Sequence, residues 1–353
     1  MAQETRYELM DGLRGLAAIG VLFFHLSIVG ATQLVPRGYL AVDFFFILSG
    51  FVLSLSYERK LTAIRLRAFA RIRAIRMFPL SIFGLLLGTV YFLFRFLLLP
   101  DSQYSLPDIA AGTAFNILLL PKPWISAAPT DTIFPANTPL WSLSLELAVN
   151  LLWVLVLPRL RTVVLVVVLI PTAAILAIVI VNSGHADLGA IWPTYCGGLL
   201  RAVFGFFMGV LLWRLHTTSA RSIVSPLAPW LACGALAFIL AVPGQMPIFD
   251  IVAITLAFPM ILYASISMQH RIDGRLLRFL GDISYPLYAT HVPVLMWVVG
   301  IAKALKLENM ASLLAFAAVP LCIVFAALLT KFYDEPIRRT LSGRSTAGAK
   351  SPA

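Results

Sequence analysis

The sequence predicts an all-α fold: a polytopic transmembrane helical bundle of about ten spans with both termini cytoplasmic. Three observations predict it. Of 353 residues, 60% are hydrophobic and only 12% charged, with a mean hydropathy of +0.91, whereas a soluble domain is about one quarter charged. Long apolar runs recur from end to end, too continuous for barrel strands and suited to helices that satisfy their own backbone hydrogen bonds in lipid. The basic residues also fall on one side of these runs. Arg6, Arg14, the series from Arg59 to Arg76, Arg159, Arg161, Arg214, Arg221, Arg271, Arg275, Arg278 and the tail stand against Arg37, Lys122, Lys303 and Lys306 in the opposite loops. This positive-inside bias accounts for the formal net charge of +11 and leaves no call for a nucleic-acid partner.

In order, the spans are expected near residues 12–30, 38–56, 77–99, 140–158, 163–181, 194–213, 225–242, 249–267, 283–301 and 311–333. The first ends on a cleavage-like Val29-Gly30-Ala31, but Glu4, Glu8 and Asp11 replace the clean basic flank of a signal peptide, so it is read as retained. Between the second and third, Leu61, Ile64, Ala68, Ile72 and Ile75 recur at helical spacing while Arg65, Arg67, Arg71, Arg73 and Arg76 point elsewhere. That pattern predicts an amphipathic helix on the inner leaflet, able to hold anionic lipid headgroups or an anionic ligand. The proline-rich loop at 100–139 lies outside and reads as a folded lid or re-entrant piece. Residues 1–339 form the transmembrane domain, and 340–353 a disordered cytoplasmic tail. Cys196, Cys233 and Cys322 have no metal-ligand spacing, so neither a disulfide nor a metal site is expected.

Ionisable residues inside spans are costly, and each is a functional candidate. In the first helix eleven steps bring His25 within roughly 20° of Arg14 and about 16 Å along the axis. A guanidinium would then sit at the cytoplasmic boundary and an imidazole near mid-membrane, a geometry suited to a ligand with an anionic head and a long reactive arm. Glu146, in the run from Trp141, lies roughly 9 Å below the outer boundary and His25 roughly 14 Å, so the carboxylate is placed to orient the imidazole as a general base. Asp43 and Arg201 share a similar depth, as a structural ion pair or as catalytic groups. Ser49 and Gly50 allow close helix approach. Tyr285, Tyr288 and His291 follow at three-residue intervals on one broad face of the ninth span.

Five stretches, taken together, resemble the membrane-bound acyltransferase family 3, the bacterial integral-membrane O-acyltransferases. They are Asp11-Gly12-Leu13-Arg14-Gly15 with His25, Val42-Asp43-Phe44-Phe45 to Ser49-Gly50-Phe51, Arg73-Ala74-Ile75-Arg76-Met77-Phe78-Pro79, Trp141 to Glu146, and Ile283-Ser284-Tyr285-Pro286-Leu287-Tyr288 with His291. The resemblance implies transfer of an acyl group, usually acetyl from acetyl-CoA, to a hydroxyl of a cell-envelope glycan or related acceptor. It also implies that His25 is essential, that Arg14, Arg73 and Arg76 serve the acyl-CoA side, and that the site is a bacterial cytoplasmic (inner) membrane. Guanidinium forks suit the phosphates of such a donor. His25 would act as general base or as an acyl-carrying nucleophile. Some members carry a second, extracytoplasmic hydrolase-like domain, which this sequence is expected to lack. Delivery to an external glycan would then run through its own spans or a separate partner.

Two other functions are compatible with the residues. One is the same chemistry on a small-molecule acceptor; the other is a transporter or flippase using the intramembrane charges as a path.

Overall fold

The computed structural model describes residues 8–31, 33–58, 66–98, 105–123, 132–156, 160–218, 223–224, 227–269, 274–307 and 309–347. Its α-helices, in chain order, are α1 Glu8–Phe24, α2 Ala41–Tyr57, α3 Leu66–Leu98, α4 Leu106–Ile117, α5 Leu140–Val156, α6 Thr162–Ser183 and α7 Tyr195–Thr218. They continue with α8 Ala228–Ala241, α9 Pro247–Val252, α10 Phe258–Ser267, α11 Arg275–Ala304, α12 Ala311–Leu329 and α13 Glu335–Ala347. The other regular pieces include short 3₁₀ turns at His25–Val29, Gly38–Leu40 and Trp192–Thr194, and a parallel bridge pairing Ile223 and Val224 with Met268 and Gln269. The all-α membrane bundle expected from the sequence is therefore the architecture. Among the described residues, eight helical stretches are long and apolar enough to cross a membrane. The expected spans at 140–158 and 225–242 are the shorter apolar helices α5 and α8.

Contacts gather the chain into two units. The first takes residues 1–25, 32–63 and 145–284. Its tightest seam joins α2 to α7, where small residues replace bulk. A Cβ on Gly50 would run into the carbonyl of Phe206, and one on Gly209 into that of Ile47, so the backbones meet directly. In lipid such close packing, rather than water exclusion, holds helices together. Phe51 and Trp213 stack edge to face beside it, at 5.7 Å. α6 packs on α7 yet leaves Val163, Val167, Ile170 and Ile178 exposed, the apolar surface a lipid-facing helix presents. Between α9 and α10 the helix widens into a π turn at Ala253–Ala257. Pro259 follows at once; its ring and missing N–H do not fit a regular α turn.

The second unit takes residues 26–31, 64–144 and 285–353. Here the arginine series differs from expectation. Residues 61–65 lie outside the described residues, but from Leu66 onward the series is the first part of a 33-residue helix that runs straight through Pro79 to Leu98. Two side chains brace the carbonyls around that proline: the Tyr333 hydroxyl donates to Pro79 O at 3.2 Å, and that of Tyr285 donates to Met77 O. The segment is therefore continuous with the third span and not a separate surface helix. Within the loop at 100–139, α4 is capped by Ser105, which accepts from the Asp108 N–H at 3.2 Å. Thr113 on α4 meets Thr89 on α3 at 3.0 Å. The Asn137 amide donates to Ala289 O at 2.8 Å, and the Trp297 indole to Leu87 O at 3.1 Å, tying α11 to this unit. After α12 a second π turn, Thr330–Asp334, precedes Pro336. α13 then carries helix as far as Ala347 across the start of the stretch expected to be a disordered tail. Its first turn is supported by Arg338–Asp334 at 2.6 Å and Arg339–Glu335 at 2.9 Å, pairs that composition alone does not reveal. Residues 348–353, like Arg59, Arg65, Arg159, Arg221 and Arg271, lie outside the described residues.

Candidate active site

In the first unit, α1 carries Arg14 six residues in from its start and leads directly into His25 at its end. The Asp-Gly-Leu-Arg-Gly run has a steric reason. A Cβ on Gly15 would lie 2.5 Å from the Cβ of Leu280 and 2.6 Å from its backbone, so only glycine lets α1 seat against the start of α11. Charged side chains rivet the same seam. Arg14 donates through Nε to Ser284 Oγ at 2.8 Å and through its terminal nitrogen to Gly281 O at 2.7 Å, with Asp11 at 3.2 Å. Glu8 pairs with Arg278 at 2.5 Å. Arg14, expected on the acyl-CoA side, thus spends much of its guanidinium joining two helices while remaining 27% exposed.

At the far end the helix tightens into a 3₁₀ turn that begins with His25. The imidazole Nδ1 donates to Val21 O at 3.0 Å. That bond fixes the tautomer, since a neutral ring with its proton on Nδ1 carries its basic lone pair on Nε2. The ring meets Phe24 edge to face at 5.1 Å and is only half-buried, so it stays approachable. At Nδ1, then, the backbone of its own helix helps to orient the ring. Glu146, the carboxylate expected to support the imidazole, accepts a hydrogen bond from Ser49 at 2.6 Å, which joins α5 to α2, and both residues are half-buried.

Asp43 and Arg201 form an ion pair. Both are fully buried, and the guanidinium grips the carboxylate with both prongs, Nε to Oδ1 at 3.0 Å and a terminal nitrogen to Oδ2 at 2.6 Å. Its other bonds go to Leu188 O at 2.8 Å and Tyr39 O at 2.9 Å. A second buried pair was not foreseen. Arg37, 1% exposed, pairs with Asp250, 0% exposed, and donates to the carbonyls of Val242, at 3.0 Å, and Gly244. Asp250 also accepts from the Tyr39 hydroxyl at 2.8 Å and from the Ala186 N–H at 3.0 Å. Tyr39 stacks edge to face on Phe24, the neighbour of His25, with ring centres 5.7 Å apart. The two pairs together pin the turn after α1 and the loops before α7 and α9. The only sequence signal for Arg37 was its isolation on the sparsely basic side.

The second unit holds the remaining candidates. Arg73 and Arg76 are half-buried on α3; Arg73 points a terminal nitrogen at Met77 sulfur, 3.7 Å away, and Arg76 lies over the Tyr285 ring at 5.3 Å. Tyr285 also meets Ser81 Oγ at 3.1 Å. Trp141 is 6% exposed. Ser142, its neighbour, bonds the Tyr288 hydroxyl at 2.6 Å. His291 is sealed at 1% exposure, its Nδ1–H shared between Leu287 O at 3.0 Å and Tyr288 O at 2.9 Å, an arrangement suited to packing. No cluster of three or more His, Cys, Asp or Glu among the described residues is placed to hold a metal ion.

Comparison with known proteins bears on this arrangement. A family model described as an acyltransferase domain matches residues 7–331. The chain is 37% identical over 158 residues to "Protein 2 in picA locus" of Rhizobium radiobacter, covering 41% of this chain and 79% of that one. It is 25% identical over 389 residues to "Peptidoglycan O-acetyltransferase OatA" of Listeria monocytogenes serovar 1/2a, covering 96% of this chain. The chain spans 58% of the length of that relative. No solved structure matches.

Proposed function

The chain belongs to the acyltransferase domain family matched over residues 7–331, and from that premise we propose that this membrane acyltransferase moves acetyl from cytoplasmic acetyl-CoA to a hydroxyl of a cell-envelope glycan. The observation that carries the reading is His25, half-buried, with Nδ1–H tied to Val21 O and Nε2 left as the basic atom. In the proposed step the acceptor oxygen attacks the thioester carbonyl while Nε2 takes its proton. The new C–O bond forms, the C–S bond breaks, and His25 returns the proton to the departing thiolate.

Glu146, braced through Ser49, is proposed to favour the imidazolium that forms during transfer. Arg73 and Arg76 are proposed to take the phosphates of the donor, for which guanidinium forks are suited. Arg14 contributes to the same side mainly by holding α1 to α11. The Listeria relative's printed activity supports a glycan acceptor, and the positive-inside bias supports a bacterial inner membrane with both termini in the cytoplasm. Lipids and the glycan are the expected partners.

The test is expression of the full chain in a bacterial host whose envelope polymers lack O-acetyl groups. Alkali-labile acetate on the envelope glycan with the parent, and none with His25→Ala at equal membrane abundance, is the expected result. Equal acetate with both chains overturns the proposal.

A further inference from the structure

Asn150 sits on α5, four residues beyond Glu146 and three before Trp153, fully buried, and neither its carboxamide nitrogen nor its oxygen has a hydrogen-bond partner. Ser54 on α2 is buried to the same degree, and its Oγ is also unpartnered. Three contacts hold together the helices that carry these two residues. Ser49 on α2 bonds Glu146 on α5 at 2.6 Å. Trp153 stacks on Phe206 of α7, with ring centres 6.0 Å apart, and the Phe206 carbonyl lies against the bare face of Gly50 on α2. Counted from the Ser49–Glu146 bond, Asn150 lies about 6 Å farther along its helix and Ser54 about 8 Å along its own.

A buried amide with nothing to bond is costly, and leucine, of similar size, would be more stable there. A carboxamide offers a donor and an acceptor together, so its complement presents both. Secondary amides strung along a flexible chain do so. The arm that joins the thioester of acyl-CoA to its phosphates carries two of them. In the expected topology α2 and α5 both run inward, so Asn150 and Ser54 lie on the cytoplasmic side of Glu146, where a donor arm passes and an external acceptor does not reach.

We propose that Asn150 and Ser54 bind the amide-bearing arm of the thioester donor, Asn150 giving Nδ2–H to one amide carbonyl and taking an amide N–H on Oδ1. This rests on the acyl-CoA reading given above. It assigns the donor a recognition site separate from His25.

The experiment measures thiol release by the full chain in lipid nanodiscs from two donors, acetyl-CoA and ethyl thioacetate, which has no amide. Asn150→Leu is expected to raise KM for acetyl-CoA about tenfold, the worth of one to two lost hydrogen bonds, while changing that for ethyl thioacetate by less than about twofold. Its unfolding temperature should equal or exceed the parent's. Ser54→Ala should shift the same ratio in the same direction by less, and it decides the matter if Asn150→Leu does not fold. An unchanged acetyl-CoA KM, or an equal rise for both donors, overturns the amide site while leaving the donor reading intact. A parent inactive on both thioesters overturns the donor reading, and the amide site with it.

Discussion

Replacing Arg201 with methionine strips four hydrogen bonds from the interior of the first unit: two to Asp43, at 3.0 and 2.6 Å, and one each to Leu188 O at 2.8 Å and Tyr39 O at 2.9 Å. Asp43 is 0% exposed, so its carboxylate is left buried without its cation. Breaking a buried pair from one side costs about 3–5 kcal/mol, and the lost donor to Leu188 O pushes the loss toward the upper end. Replacing both partners is different, because an apolar pair of similar volume often restores what the broken pair lost. The double variant Asp43→Leu with Arg201→Met should therefore regain most of the stability that Arg201→Met alone gives up. The assay is unfolding of the purified chain in mixed micelles, followed by tryptophan fluorescence, for parent, both single variants and the double. A loss below about 1 kcal/mol for Arg201→Met, the value of an exposed pair, would refute the reasoning. So would a double variant no more stable than the singles.

Gly15→Ala puts a methyl group 2.5 Å from the Leu280 side chain and 2.6 Å from its backbone. It should cost about 1–3 kcal/mol by overpacking, read in the same unfolding assay, whereas an unchanged stability would mean that α1 and α11 are not seated this closely. Arg37→Met should cost about 3–5 kcal/mol by leaving Asp250 buried without its cation. A loss within about 0.5 kcal/mol, typical of surface changes, would contradict the buried pair.

The membrane helices were legible because lipid tolerates only continuous apolar runs, and those runs survive in the sequence as contiguous text. Asp43 and Arg201 were legible for the complementary reason: charge inside such runs is expensive and announces itself. Arg37 precedes an apolar run and Asp250 stands at the very start of one, where charge is unremarkable, so their burial depended on how the loops fold back. The arginine series reads as a surface helix ending before the third span, yet one helix runs from Leu66 through Pro79 to Leu98. Tyr333 and Tyr285, distant in sequence, brace the carbonyls around that proline, and no local pattern reports that. Depth along an axis put Glu146 near the level of His25, but depth says nothing of azimuth, so the bond that Ser49 gives Glu146 was not legible. Asn150 carries no charge and sits in an ordinary apolar context; only its burial without a partner singles it out.

The central claim is that acyl transfer turns on the Nε2 of His25. Glutamine at this position keeps a polar side chain of similar length but cannot accept a proton as an imidazole does. The most direct measurement is acetyl release from radiolabelled acetyl-CoA by purified parent, His25→Gln and His25→Ala in lipid, each checked for an unchanged unfolding temperature. Both variants should lose at least about a hundredfold in rate, the low end of what a general base contributes, while remaining folded. A folded His25→Gln or His25→Ala that releases acetyl at the parent's rate would contradict the account.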